Sequence, residues 1–159
     1  MLKAAKAASV IALGAEGSRE YRQVSDKSHD LYPMKKNWRD SSASTFLPFL
    51  KELEGEIFRR DSRIVKVIIR LSNSVSDVMM YNSLGELTYE TRPMGSISAT
   101  AVFQQDGKTE NRSISRSFRT GAELISPALL AEMADEAVKG IDERFEAVRP
   151  RGGQMSVVM

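Results

Sequence analysis

The strongest pattern along the chain is an alternation of apolar and polar residues between residues 64 and 119. Every odd position of residues 64–71 is apolar, and serines and a threonine alternate with apolar residues in residues 95–103. A period of two is typical of strands with one buried face. The sequence therefore predicts strands whose helix-facing residues are Val67, Ile69, Ile97, Ala99, Ala101 and Phe103.

Two shorter apolar segments, residues 78–81 and 87–90, flank Asn82-Ser83-Leu84-Gly85-Glu86. Gly85 can adopt a positive φ, so these segments are predicted to form a hairpin. The dipeptide Asp106-Gly107 is typical of a type I′ turn, which predicts a second hairpin that leads into a strand at residues 109–119.

Two segments with apolar residues three and four apart are predicted to be helices that cover the sheet. The first, residues 45–60, has Ser44 or Thr45 as its N-cap and Pro48 in its first turn. The second begins at Ser126 and Pro127 and ends at Pro150. Its predicted apolar stripe consists of Leu130, Ala134, Ala137, Ile141, Phe145 and Val148.

The two ends of the sequence differ from this central part. Residues 1–15 suit a short amphipathic helix ended by Gly14, although Lys3, Lys6 and the apolar residues after them also suit the start of a signal peptide. Residues 16–43 lack periodicity, which favours an extended linker. Residues 155–159 are predicted to begin a strand, whose exposed apolar side chains would promote self-association.

The fold class predicted from these elements is α+β. It consists of an antiparallel β-sheet of four to five strands packed against two helices, preceded by a short N-terminal helix and an extended linker. The predicted domain organisation is a remnant helix of a preceding unit at residues 1–15, a linker at 16–43, and a central α+β domain at 44–159 that is truncated at its C-terminal strand.

Composition narrows the function classes without selecting one. The chain has 159 residues, 42% hydrophobic and 28% charged, with a net charge of +2 and no cysteine. These values are typical of an ordinary folded domain, and they predict a cytoplasmic location with no apolar run long enough to span a bilayer. The absence of cysteine excludes disulfides, thiolate metal sites and cysteine nucleophiles in this chain.

No catalytic constellation is apparent in the sequence. The chain has one histidine, His29, which has no evident catalytic partner, and it lacks the glycine-rich phosphate loops and the Gly-x-Ser-x-Gly segment. Carboxylate pairs such as Glu52 and Glu56 lie on helices rich in opposite charge, where a solvated face is the simpler interpretation. We therefore assign no catalytic, cofactor-binding or metal-binding residue.

The last predicted strand carries the one candidate binding surface, formed by Lys108, Arg112, Arg116 and Arg119. Arg112 and Arg116 share a face with Ile114 and Phe118, which would allow phosphate binding and base stacking. An edge strand protected by charge has the same pattern, and that interpretation disfavours nucleic acid as a partner.

The order of these features resembles the TldD/PmbA peptidases, also known as modulators of DNA gyrase, and especially the TldD branch. The resemblance covers about three quarters of the chain. It rests on the helix Phe46 to Arg60, the strand Ile64 to Leu71, Asn82-Ser83-Leu84-Gly85, Thr91-Arg92-Pro93, the turn Asp106-Gly107-Lys108, and the helix Pro127 to Val148 leading to Met155 to Met159.

The resemblance implies a function for a longer parent protein. Members of the family have a zinc site built on His-Glu-x-x-x-His, which is absent here, so this chain is expected to hold no cofactor and to be inactive alone. It would be a scaffold for a peptide chamber and for subunit pairing. Its expected partners are its own catalytic domain, a homodimer or heterodimer partner of the family, and a peptide substrate. The alternative is a stand-alone adaptor that binds peptide or nucleic acid through a β-edge or the basic hairpin at residues 108–119.

Overall fold

The computed structural model describes residues 24–148, 152, 153 and 156. The predicted helix at residues 1–15, the helix end at Pro150 and most of the predicted strand at residues 155–159 lie outside the described residues. In chain order, the elements are β1 (Ser25–Asp26), a short 3-10 helix (Trp38–Asp40), α1 (Ala43–Arg60), β2 (Ile64–Tyr81), β3 (Glu86–Gln105), β4 (Lys108–Phe118), a second 3-10 helix (Ala122–Leu124), α2 (Pro127–Val138) and α3 (Ile141–Glu146).

The strands form one four-stranded sheet in which β3 pairs with each of the others. β4 is antiparallel to β3 from the pair Gly95 and Phe118 to the pair Gln105 and Lys108. β1 is parallel to β3, so the sheet is mixed and not purely antiparallel. The predicted α+β fold is confirmed, with this difference in strand direction.

The described chain divides into two compact units. One contains residues 24–29 and 79–89, and the other contains residues 30–78 together with the residues from Glu90 onward. The strands β2 and β3 have residues in both units, and the hydrophobic core described below lies in the second.

The strands are longer than the sequence predicts. Residues 64–71 and 78–81 belong to one strand of 18 residues, and residues 87–90 and 95–103 belong to one of 20. Residues 72–77 are mostly polar and Pro93 normally interrupts a strand, so the local sequence pattern does not show that each long strand is continuous. Pro93 lies before the first pair between β3 and β4, so its missing N–H removes no hydrogen bond from that ladder.

The buried face of the sheet follows the predicted alternation closely. Ile97, Ala99, Ala101 and Phe103 are fully buried, and Val67 and Ile69 are half-buried against the same core. The prediction is wrong at the start of β2, where Ile64 is buried and Val65 is 56% exposed. The alternation therefore shifts by one residue between Ile64 and Val67.

Helix α1 buries Phe46, Leu53 and Ile57, whose spacing of seven and four residues places them on one face. Its N-cap is Ser42 and not Ser44 or Thr45, so the predicted place of Pro48 in the first turn is wrong. Pro48 lies in the second turn, where it cannot donate a hydrogen bond to the preceding turn. The carbonyl of Ser44 is the one that Pro48 leaves without a donor. Both residues are exposed, so water can donate to this carbonyl instead.

The second predicted helix begins as expected but is interrupted. Ser126 accepts a hydrogen bond from the Leu129 N–H at 3.4 Å, and Pro127 is the first helical residue. The prediction of one helix to residue 148 is wrong, because Gly140 adopts φ 71° and separates α2 from α3. Of the predicted stripe, Val148 alone is exposed, while Leu130, Ala134, Ala137, Ile141 and Phe145 are buried.

Among the described residues, none of the helices has the length and apolarity that a membrane span requires.

Candidate functional site

Arg112 and Arg116, on β4, form hydrogen bonds and ion pairs with helix α2. The Nε of Arg112 donates to the Glu136 carbonyl at 2.8 Å, and the Nε of Arg116 donates to the Glu132 carboxylate at 2.9 Å. The Arg116 guanidinium also pairs with the Glu136 carboxylate. The hydrogen bonds that Arg116 donates to the carboxylates of Glu132 and Glu136 raise the pKa of its guanidinium. These arginines therefore hold α2 against the sheet.

The other two predicted binding residues contact different parts of the domain. The Lys108 ammonium donates to the Phe145 carbonyl of α3 at 3.3 Å. The Arg119 guanidinium donates to the Tyr32 hydroxyl at 3.4 Å and lies 5.3 Å from the centre of its ring, within the range of a cation–π interaction. The structure thus brings Arg112 and Arg116 together, but not all four residues. Binding of an external partner by these residues stays a prediction.

Helices α1 and α2 are also joined by charge. Arg60 of α1 donates to Asp135 of α2 at 2.8 Å and to Glu56 of its own helix at 3.0 Å. Its guanidinium therefore connects the exposed faces of the two helices. Of the carboxylate pair Glu52 and Glu56, Glu56 is thus engaged with arginine. The arrangement supports a structural role for Glu56 and Asp135.

Metal-ligating side chains do not converge in the described part of the chain. No group of three or more His, Cys, Asp or Glu side chains there is placed to hold a metal ion. His29 is exposed and lies near Asp26, whose pKa is lowered chiefly by hydrogen bonds from Ser28. The described residues therefore do not fit the zinc site of a metallopeptidase.

The sequence analysis missed a buried contact between Trp38 and β3. Trp38 is 3% exposed, its indole N–H donates to the Thr120 carbonyl at 2.7 Å, and its ring packs on Phe46. Gly95 lies directly beneath the ring, where a Cβ atom would be 2.5 Å from Trp38 Cζ2. A lone tryptophan among charged residues was the available signal, since a side chain of that size is seldom left exposed.

Glu123 fixes the segment before Trp38. Its carboxylate accepts hydrogen bonds from the backbone N–H groups of Lys35 and Lys36, at 3.3 and 3.0 Å, and from the Thr120 hydroxyl at 2.6 Å. Partial burial acts to raise the pKa of Glu123, but the hydrogen bonds outweigh it and lower the pKa to about 2. Charge-assisted bonds to two consecutive amides hold this segment on the domain.

The face of β3 and β4 opposite the core carries paired hydroxyl groups. Ser96, Ser98 and Thr100 stand opposite Ser117, Ser115 and Ser113. The Thr100 and Ser113 hydroxyls are 2.8 Å apart, and the Ser117 hydroxyl donates to Ser96 at 3.3 Å. The alternation of serine and threonine with apolar residues in residues 95–103 predicts this polar face of the sheet.

The first unit contains the tip of the hairpin between β2 and β3. The Asn82 side-chain oxygen accepts from the N–H groups of Leu84 and Glu86, at 3.0 and 3.1 Å, and Gly85 has φ 83°. These contacts form the turn that the sequence predicts. Met79, Met80, Tyr81, Leu84 and Tyr89 are each at least 46% exposed around it.

A comparison with protein-family models gives one informative match. The model of the PmbA/TldA metallopeptidase central domain matches residues 36–144. The matched range includes Trp38, all of α1 and α2, and the strands β2, β3 and β4. No curated protein matches the chain.

Proposed function

Because this chain belongs to the PmbA/TldD metallopeptidase family, we propose that it serves as the non-catalytic central part of such an enzyme. In the full-length protein it is a scaffold that helps enclose the peptide chamber and pairs subunits, while a separate catalytic domain hydrolyses the peptide bond. The observation that carries this proposal is the match to the family's central domain over residues 36–144.

Zinc chemistry is proposed for the parent protein and not for this chain. A zinc ion held by the catalytic domain would supply a metal-activated water for peptide hydrolysis. The chain contains one histidine and no cysteine, and its described residues bring together no set of metal ligands. None of its residues is given a step in the hydrolysis.

The contacts between the helices and the sheet support a scaffold role. Arg116 bridges β4 to two carboxylates of α2, and Arg60 bridges α1 to α2. These charged side chains fix the positions of the helices relative to the sheet. Among the described residues, no group of potential ligands is placed to hold a metal ion. A preorganised platform of this kind suits a domain that positions other parts of an enzyme.

Domain replacement in a full-length metallopeptidase of the family tests the proposal. Residues 36–144 would replace the matching region of the host, and a flexible Gly/Ser linker of equal length would replace it in the control. We expect the chimera to keep zinc, subunit pairing and peptide hydrolysis, and the linker control to lose pairing and hydrolysis. A folded, zinc-loaded chimera that neither pairs nor hydrolyses peptides would contradict the proposal.

The adaptor alternative stays a prediction of the sequence. In the structure the four basic residues of the predicted binding surface contact Glu132, Glu136, Phe145 and Tyr32 within the domain. Those contacts are sufficient to explain their positions without an external phosphate or base. Nucleic acid binding is therefore not the function that the geometry favours.

A further inference from the structure

The tip of the β2–β3 hairpin and β1 form a small three-stranded surface, one face of which carries mostly polar side chains. The Asn82 N–H donates to the Glu86 carbonyl at 3.1 Å, so these two residues are directly opposed. Two residues further along each strand, Met80 stands opposite Thr88. β1 runs parallel to β3 in a register that brings Lys27 level with Thr88. Because side chains alternate between the faces of a strand, these five residues share one face.

This face holds an open cavity of about 320 Å³. The five residues just named line it, and Tyr81 lines it as well. Met80 is 55% exposed and Tyr81 60%, so apolar surface borders the polar groups of the cavity. Sites for small molecules have volumes of about 300 to 1,000 Å³. The cavity is therefore large enough for a ligand on the scale of a dipeptide.

The Glu86 carboxylate is held in place by the turn that precedes it. The Asn82 side-chain N–H donates to Oε2 of Glu86 at 2.6 Å. The side-chain oxygen of Asn82 accepts from the backbone N–H groups of Leu84 and Glu86. One side chain thus shapes the turn and orients the carboxylate. In the described part of the chain no donor binds the other carboxylate oxygen, Oε1, which leaves that oxygen for a ligand.

β1 brings the opposite charge to the same cavity. The Lys27 N–H donates to the Leu87 carbonyl at 2.8 Å, and the Ser28 hydroxyl accepts from the Tyr89 N–H at 2.8 Å. These bonds fix the backbone of Lys27, while its side chain is exposed and pairs with none of the described carboxylates. The Cα atoms of Lys27 and Glu86 lie about 8 Å apart by the geometry of neighbouring strands. The cavity therefore presents one positive and one negative group at separate positions.

We propose that this cavity binds a short zwitterionic peptide of about two residues. Lys27 takes the carboxylate and Glu86 takes the amino group, each through a charge-assisted hydrogen bond. An apolar side chain of the peptide lies against Met80 and Tyr81. The choice of a peptide rests on the proposed function, because peptide hydrolysis releases molecules with a free amino group and a free carboxylate. The cavity is thus a site for short peptide products of the parent enzyme.

Titration of the full chain with the dipeptide alanyl-leucine tests the proposal, with isotope-labelled methionine methyl groups observed by NMR. We expect a saturable shift of the Met80 methyl resonance and none at Met94, which belongs to the other compact unit. Met80→Leu and Met94→Leu assign the two resonances. N-acetyl-alanyl-leucine amide, which lacks both charges, should bind about tenfold more weakly. Equal affinity for the two peptides, an equal shift at Met94, or no saturable shift at millimolar peptide would overturn the proposal.

Two conservative substitutions test the two charges separately. Lys27→Met keeps the length of the side chain and the backbone bonds of β1, and Glu86→Gln keeps an acceptor for the Asn82 amide. Each should weaken binding of alanyl-leucine by about two- to fivefold, the effect of an exposed ion pair. Lys66→Met is the matched control, since Lys66 is exposed on β2 and does not line the cavity. Unchanged affinity in Lys27→Met, or an equal loss in Lys66→Met, would overturn the proposal.

The result can be separated from the test of the scaffold role. If alanyl-leucine fails to bind while the chimera pairs and hydrolyses peptides, the ligand site alone is contradicted. If alanyl-leucine binds as expected while the chimera neither pairs nor hydrolyses peptides, the scaffold role alone is contradicted.

Discussion

Gly95 and Trp38 are in direct van der Waals contact, and the indole ring fills the space that any side chain at residue 95 would need. A Cβ at Gly95 would lie 2.5 Å from Cζ2 and 3.2 Å from Cε2 of Trp38. The ring cannot easily withdraw, since it is 3% exposed, packs on Phe46 and donates to Thr120. The glycine therefore permits the contact between β3 and the segment before α1.

Gly95→Ala should destabilise the domain because the new methyl group displaces a packed ring. We expect a loss of roughly 1 to 3 kcal/mol in the free energy of unfolding, the usual cost of overpacking. Gly55→Ala is the matched control, since nothing lies within 4 Å of its Cβ position and alanine is favoured over glycine in a helix by up to about 1 kcal/mol. Chemical denaturation should show opposite signs for the two variants, and a stable Gly95→Ala protein would contradict this packing.

Aspartate substitutions on the two faces of β3 test the orientation of the sheet. Ile97→Asp buries an unpaired charge at a fully buried position and should cost more than about 4 kcal/mol or prevent folding. Ser98→Asp, on the hydroxyl face, should change stability by less than about 1 kcal/mol. Ile69→Asp should fall between them, because Ile69 is half-buried. Equal denaturation midpoints for Ile97→Asp and Ser98→Asp would show that the faces are misassigned.

The bridge from β4 to α2 can be measured with a double-mutant cycle. Arg116 and Glu132 are paired at 2.6 Å, with side chains 30% and 56% exposed. We expect a coupling energy of about 0.5 to 1 kcal/mol between Arg116→Ala and Glu132→Ala, reduced by solvent screening. Raising the salt concentration should lower it further. A coupling energy of zero at low salt would mean that this pair does not hold α2 on the sheet.

Glu123 should make the domain sensitive to acid. Its pKa in the folded protein is about 2, below the ordinary value of 4.5, so its contribution to stability is complete above pH 4.5 and is lost as the pH falls through 2. Because the carboxylate is partly exposed, we expect an effect on the order of 1 kcal/mol. Glu123→Gln, which keeps an acceptor oxygen, should flatten stability between pH 5 and 2 relative to the native chain, and parallel profiles would contradict the assignment.

The sequence predicted those elements whose residues alternate or repeat clearly. Ile97 to Phe103 fixed the buried face of β3, and Asp106 and Gly107, with φ 50° and 77°, formed the predicted turn. The length of β2 could not be read locally, because a mostly polar segment becomes a strand through pairing with its neighbour and not through its own apolar pattern.

The break at Gly140 was missed because the apolar stripe on either side keeps its spacing through the helix interruption.

The other features that the sequence did not predict depend on contacts between residues far apart in the chain. The bonds of Glu123 to Lys35 and Lys36 join residues almost 90 positions apart, with separations of 88 and 87. The basic residues of β4 were recognised, but their partners on α2 depend on tertiary packing, which spacing alone does not determine.

The most direct test of the non-catalytic role is the zinc content of the purified chain, measured together with its peptide hydrolysis. After dialysis with zinc we expect far less than one zinc per chain, and no cleavage of unstructured peptides above the buffer rate, because the chain lacks His-Glu-x-x-x-His and its described residues form no ligand cluster. A full-length family metallopeptidase serves as the positive control. Stoichiometric zinc that survives dialysis, with hydrolysis that a chelator abolishes, would contradict the account.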